Sequence, residues 1–331
     1  SGLKSLTAGA ISAGANFENA MSSVAAISGA TGSDFDRLSE KAKQLGKSTQ
    51  YTASETASAM EYMAMAGWKT EDMLNGIEGV MDLAAASGED LAGVSDIVTD
   101  AMTAFGLSAD GTTKIIKDGF TKEVSNASHF ADVLAAASAN SNTNVAMLGE
   151  SFKYAAPVAG SLGYSVEDTA IALGLMASSG LKSSMAGSSL RTILTNLAKP
   201  TDDISDAMDY LGISLQNGDG SMKSLMDIVT DLRGAFGQCK MPMDQFQENL
   251  AKLDEKYANG ELTEKKYNEA LADLTEKAYG AEGALKAKYA ATLAGKEGMS
   301  GLLSIVSAAP EDFDKLTNAI YNSDGAAKEM A

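Results

Sequence analysis

The sequence predicts an all-α fold: a compact multi-helix bundle of short helices with glycine stops, plus an antiparallel helical hairpin. Three observations lead there. The apolar residues are mostly Ala, Met and Leu, with 17 methionines, 6% aromatics and only 4 prolines. Such side chains lose little rotamer freedom in a helix. Apolar residues recur at i, i+3, i+4 and i+7, as in Leu190, Ile193, Leu194 and Leu197, which gives one buried helix face. Periodic runs open on capping residues and close on glycine, so each helix is written to end after a few turns.

In order, residues 3–28 read as a helix rich in small residues, broken by Gly29 to Gly32. Ser33 with Asp36 opens a short helix that stops at Gly46. Thr52 with Glu55 is a capping box, and the helix behind it buries Ala57, Met60 and Ala64. Thr70, Glu71 and Asp72 start the next helix, the carboxylates matching the positive end of its dipole. Met73, Ile77, Val80, Met81 and Ala84 stripe it, and Gly88 stops it. Leu91, Val94, Val98, Ala101, Met102 and Phe105 stripe the following one, closed by Gly106.

Residues 107–128 read as a short helix plus loop, and 129–140 as an alanine-rich helix. Three helices follow over 142–200. Asn144 caps the first and Gly163 ends it; Ser165 with Asp168 opens the second and Gly180 closes it; Pro200 bounds the third. A short helix runs to Gly212. Asn217-Gly218 then marks a turn, so at most one tiny β-hairpin is expected, near 213–221.

Beyond 240, Phe246, Leu250, Leu253 and Tyr257 stripe one helix, and Tyr267, Leu271, Leu274 and Ala278 another. Ala258-Asn259-Gly260 turns between them. Pro310 sits near the start of a last helix ending around Gly325. The expected organisation is a core helical domain at 1–237, an inserted helical hairpin at 238–297, and a helical return to the core at 298–331. The core carries a weak internal duplication, about 52–106 and 143–199. There Gly67-Trp68-Lys69-Thr70-Glu71-Asp72 echoes Gly163-Tyr164-Ser165-Val166-Glu167-Asp168.

Charge narrows the function classes. The net charge is −18, and residues 1–239 hold 15 basic against 28 acidic residues. A duplex-binding face needs clustered Lys and Arg to replace counterions, so no specific nucleic-acid binding is expected. One cysteine, Cys239, excludes an intrachain disulfide. No run of about 18 strongly apolar residues offers a membrane span.

The chemical motifs fail one by one. Leu45-Gly46-Lys47-Ser48-Thr49 has the tail of a phosphate-binding loop, but Lys41 stands where its first glycine belongs. Asn217, Asp219 and Ser221 have the opening spacing of a calcium loop, but Met222 and Ile228 occupy its glycine and glutamate positions. His129 is the only histidine, which removes multi-histidine metal sites, and its place beside Phe130 at a helix start suits a capping or exposed imidazole. Cys239 beside Lys240 reads as an inert helix-end thiol. Glu71-Asp72 and Glu167-Asp168 read as first-turn capping pairs, and the methionines mostly as core. No catalytic, cofactor-binding or metal residues are assigned, and no enzyme is expected.

The chain also resembles a known family. Phe17-Glu-Asn-Ala-Met21, Ile27-Ser-Gly-Ala-Thr-Gly32, Ala42-Lys-Gln-Leu-Gly46, Ser54-Glu55 and Ala64-Met-Ala-Gly67 are similar to the core region of phage tail tape measure proteins. So are Leu83-Ala-Ala-Ala-Ser-Gly88, Ala104-Phe-Gly-Leu107, Asn140-Ser-Asn-Thr143, Ala186-Gly187 with Leu190-Arg191, Lys199-Pro-Thr201, Leu211-Gly-Ile213, Asp219-Gly220, and Gly325-Ala-Ala327 with Met330-Ala331. The likeness is collinear over nearly the whole chain. It departs at about 234–280, where the hairpin looks inserted, and at 108–125, which looks lengthened.

The resemblance implies a structural module of a phage or prophage tail, acting in virion assembly, tail length determination and later DNA ejection. It implies the tail tube protein, tail assembly chaperones and tail-tip or baseplate hub proteins as partners. It places the chain inside the tail tube, after assembly in the host bacterial cytoplasm. Host membrane contact during infection and self-association stay open. The alternative reading is a membrane-active module that aids DNA passage through the host envelope. Members of the family generally continue beyond this point, so a piece of a longer protein is expected.

Overall fold

The computed structural model describes residues 2–117, 120–237, 241, 243–280 and 283–331. The chain divides into two compact units, unit 1 from Ser1–Ala135 with Ser323–Ala331, and unit 2 from Ala136–Asn322.

Unit 1 is built from α1 (Gly2–Ser28), α2 (Ser33–Ser48), α3 (Ala53–Met65), α4 (Thr70–Ser87) and α5 (Leu91–Phe105). Then come β1 (Thr112–Lys117), β2 (Phe120–Ser125) and the part of α6 (Asn126–Asn140) up to Ala135. α3 is the centre, packed by α1, α2 and α5. Ala57, Met60 and Ala64 are buried in it as the pattern requires. Its capping box forms, with the Thr52 amide donating to the Glu55 carboxylate at 2.7 Å and the Glu55 amide to the Thr52 hydroxyl at 3.2 Å. The stripes of α4 and α5 are buried throughout. α2 opens at Ser33 as expected but differs in its cap and its end. α2 takes Gly32, not a side chain, as its N-cap, and it runs through Gly46 to Ser48.

The expected helix and loop at 107–128 are not there. β1 and β2 form an antiparallel hairpin with Thr112 opposite Ser125 and Lys114 opposite Glu123. Its local composition explains this: Thr, Ile and Val are stiff at χ1 and fit a pleated surface better than a helix. The hairpin expected near 213–221 shrinks to one bridge, Gln216 with Met222. There Asp219 Oδ1 accepts the Ser221 amide at 2.9 Å, a local turn that ends pairing after one rung. The fold is otherwise the all-helical one expected.

Unit 2 continues with α7 (Val145–Ser161), α8 (Val166–Ser178), α9 (Ser183–Ala198), α10 (Asp202–Leu211) and α11 (Leu225–Phe236). α12 (Met243–Ala258) and α13 (Glu264–Tyr279) form the antiparallel hairpin, followed by α14 (Gly283–Ser307) and α15 (Pro310–Tyr321). α16 (Ala326–Met330) returns to unit 1 and lies on α4. α9 is the centre of unit 2, gripped by α7 and α14, with Leu190, Ile193, Leu194 and Leu197 buried. A Cβ on Gly187 would fall 2.3 Å from the Ser151 carbonyl oxygen of α7, so that contact is backbone against backbone. α14 kinks at Gly295, where φ is 66°. In the hairpin, Tyr267, Leu271, Leu274 and Ala278 are buried, but Tyr257 is 40% exposed and stacks on Tyr267 at 4.6 Å.

Candidate functional site

The polar side chains held inside each unit show what its architecture uses chemistry for. In unit 1, Asp132 of α6 accepts the Gly325 and Ala327 amides, each at 2.9 Å. One carboxylate thereby caps α16, the placement that a helix N-terminus favours. Burial pushes the Asp132 carboxyl above its ordinary range, and the two amides pull it back. Asp72 accepts the Lys69 amide at 2.7 Å as the second half of a cap.

In unit 2, Asp168 departs from its expected role. Ser165 does cap α8, its hydroxyl accepting the Asp168 amide at 3.0 Å. The Asp168 carboxylate, however, turns away to accept the Met226 amide at 3.2 Å and the Tyr321 hydroxyl. It joins α8 to the start of α11 and the end of α15. Arg233 of α11 does comparable work at the end of α14, donating to the carbonyls of Ile305 and Ala308 at 2.8 Å. Its guanidinium lies 4.4 Å from the Phe313 ring centroid. These are the orphan carbonyls and negative dipole end that a cation satisfies. Arg233→Met keeps most of the stem over Phe313 and loses the donors, so chemical denaturation is expected to show a loss of about 1–2 kcal/mol.

A cavity of about 380 Å³ opens between α9, α12, α13 and α14. Asp254 lies in its wall and accepts the Tyr267 hydroxyl at 2.6 Å and the Ser300 hydroxyl at 2.5 Å. Met185, Arg191, Tyr257 and Glu297 line it as well. Burial is the largest influence on Asp254 and raises its carboxyl above the ordinary range, while the two hydroxyls oppose it; burial also pushes the Tyr267 hydroxyl up. Between the unfolded carboxyl value, about 3.9, and the raised folded one, the folded state binds more protons, so stability falls as pH rises. Asp254→Asn carries no charge to bury. Its melting temperature is expected to match or exceed the parent's at pH 7, with the gap closing as pH falls. A gap that widened on acidification would contradict this.

The motifs weighed in the sequence are scattered. Gly46 and Lys47 lie within the last turn of α2, Asn217, Asp219 and Ser221 form the exposed turn described above, and Glu71 pairs with Arg37 of α2 at 3.0 Å. His129 is a correction: it is 6% exposed inside α6 and not on the surface, because its helix begins three residues earlier at Asn126. Cys239 and Lys240 lie outside the described residues. Among the described residues no group of three or more His, Cys, Asp or Glu is placed to hold a metal ion. Asp254 with Tyr267 and Ser300, and Arg233 with its carbonyls, are polar arrangements that the spacing of residues did not announce.

Comparison with known proteins fits this architecture. The pattern of the family described as phage-related minor tail protein matches residues 39–253. The chain belongs to that family. It is 36% identical to the tape measure protein of Pneumococcus phage Dp-1 over 329 residues, 99% of the chain and 24% of the relative. It is 24% identical to the probable tape measure protein of Escherichia phage P2 over 294 residues, 88% of the chain and 29% of that relative. The chain thus spans about a quarter of the length of these curated relatives. No solved structure matches. The chain thus corresponds to one region of proteins that carry the tape measure name.

Proposed function

We propose that the chain is a folded module of a tail tape measure protein, serving tail assembly or tail-tip anchoring, while more extended parts of the full protein measure length. The observation that carries this is the frequency of helix ends. As one continuous helix, 331 residues would span roughly 500 Å at ~1.5 Å per residue. Instead α1, at 27 residues, is the longest uninterrupted helix described, and both units are compact. The tail tube protein, assembly chaperones and tip or hub proteins are the partners this role requires, with the tube lumen as its place and ejection ahead of DNA as its end. Small-angle scattering of the isolated chain tests the reading; a rod-like profile would sink it.

Paired helix ends support a duplication of 52–106 in 143–199. The Trp68 amide donates to the Met63 carbonyl, and the Tyr164 amide to the Ala159 carbonyl, both at 3.0 Å. Gly67 and Gly163 precede them at φ 89° and 76°, a region that glycine enters without strain.

One feature favours the membrane-active alternative: α8 is buried almost all round, with Ala170 to Ala177 enclosed without a break. At 13 residues it spans about 20 Å, short of a ~30 Å hydrocarbon core. No helix among the described residues is long and apolar enough to cross a membrane. Dye release from neutral and anionic liposomes separates the readings, and leakage would favour the alternative.

A further inference from the structure

Unit 2 holds a half-buried carboxylate whose surroundings differ from those of the buried ones. Asp72, Asp132 and Asp168 each accept at least one main-chain amide and so complete the backbone of a neighbouring helix or turn. Among the described residues Asp254 accepts two hydroxyls, from Tyr267 and Ser300, both on one oxygen, and no main-chain amide. It caps no helix. A carboxylate partly withdrawn from water is destabilised, and two neutral donors compensate it only in part. The cavity of about 380 Å³ beside it leaves room for something else.

The walls show what chemistry that is. Tyr257 and Tyr267 stack at 4.6 Å, presenting ring surface next to the carboxylate. Glu297 adds a second carboxylate, and Leu181 and Met185 add apolar surface. Arg191 also lines the cavity, with its guanidinium carbon 5.9 Å from the Tyr154 ring centroid. Among the described lining residues, acidic groups thus outnumber basic ones by one. A carboxylate at the base, aromatic faces and an apolar wall together match an alkyl stem ending in a cation.

We propose that this cavity is a receptor for the cationic end of a lysine or arginine side chain presented by a partner protein. Asp254 receives the charge, the stacked Tyr257–Tyr267 pair borders it, and Leu181 with Met185 cover the stem. The pocket reads a single basic residue, so it acts as a docking point whose occupancy depends on ionic strength. That the presenting partner is another tail component rests on the function proposed above; the site itself does not.

The test uses the 331-residue chain labelled at its methionine methyls, with the Met185 signal as reporter. Met185 is 51% exposed and lines the cavity. N-acetyl-lysine methylamide and N-acetyl-arginine methylamide are titrated in, with the norleucine and glutamate analogues as neutral and acidic counterparts. At least one basic probe is expected to shift Met185 saturably, the norleucine and glutamate probes at least tenfold more weakly, and added salt to weaken the basic one. Asp254→Asn is expected to weaken the basic probe at least fivefold while the other methionine signals hold their positions. If that variant proves unfolded, the comparison of probes on the parent chain still decides. Equal shifts from norleucine would mean a plain apolar pocket, and shifts from glutamate an Arg191-centred anion site. Either result, or no shift from any probe, overturns the proposal. Failure here with a compact scattering profile would leave the tail-module reading standing, whereas a rod-like profile with intact binding would do the reverse.

Discussion

Gly187→Ala is expected to destabilise unit 2 by roughly 2–3 kcal/mol, a large effect for one methyl group. In the middle of a helix the same change ordinarily stabilises by about 0.5–1 kcal/mol, because glycine loses more backbone freedom on folding. Here the new Cβ would lie 2.3 Å from the Ser151 carbonyl oxygen and 2.9 Å from the Tyr154 Cβ. Neither is the end of a flexible side chain, so α7 and α9 must part. That separation would also disturb the Ser151 hydroxyl, which donates to the Ser183 carbonyl at 2.8 Å. Gly234→Ala in α11 is the matched control, with nothing within 4 Å of its added Cβ, and is expected to gain about 0.5–1 kcal/mol. Urea midpoints for the two variants should move in opposite directions. A Gly187→Ala chain as stable as the parent would mean that α7 and α9 are less closely apposed than described.

Asp168→Ala is expected to lower the stability of unit 2 by about 3 kcal/mol, from two charge-assisted hydrogen bonds and one stranded donor. The two ends are unequal. Tyr321 is half-exposed, so water can replace the carboxylate at its hydroxyl, whereas Met226 is buried and its amide would be left without an acceptor. Tyr321→Phe should therefore cost only about 0.5–1.5 kcal/mol. The ordering of the two losses, measured by denaturant unfolding, is the sharper check. Equal losses would mean that the Met226 amide contributes little.

Most helices of both units were legible because each is written locally. Thr52 with Glu55, Asn144 and Ser165 announce starts, glycines announce stops, and spacing announces buried faces. Where local signals compete, the sequence is harder to read. In 112–125, Thr-Thr-Lys-Ile-Ile-Lys and Phe-Thr-Lys-Glu-Val-Ser flank Asp118-Gly119, a hairpin signature that outweighs the surrounding helical composition. Near 213–221 a turn dipeptide was present, but too few apolar residues alternate beside it to hold a sheet.

The polar interior was less legible for a different reason. Asp254 and Ser300 are 46 positions apart, and Asp168 and Tyr321 are 153 apart. No periodicity reports such meetings. Asp168 also carried a local explanation, a first-turn carboxylate behind a serine cap, which concealed its long-range one.

The clip formed by Asp132 and α16 has a mechanical consequence. Because Ser323–Ala331 belongs to the same unit as Ser1–Ala135, tension applied to the chain on both sides of this stretch enters and leaves through unit 1. Unit 2 is bypassed while that clip holds. The force must first peel a five-residue helix from α4 and draw two amides off the Asp132 carboxylate. Only then does the load reach Ala136 and Asn322 and begin to unravel α7 through α15. Extension would thus release the chain in two stages, with a short, weakly built segment deciding when the larger store of length becomes available.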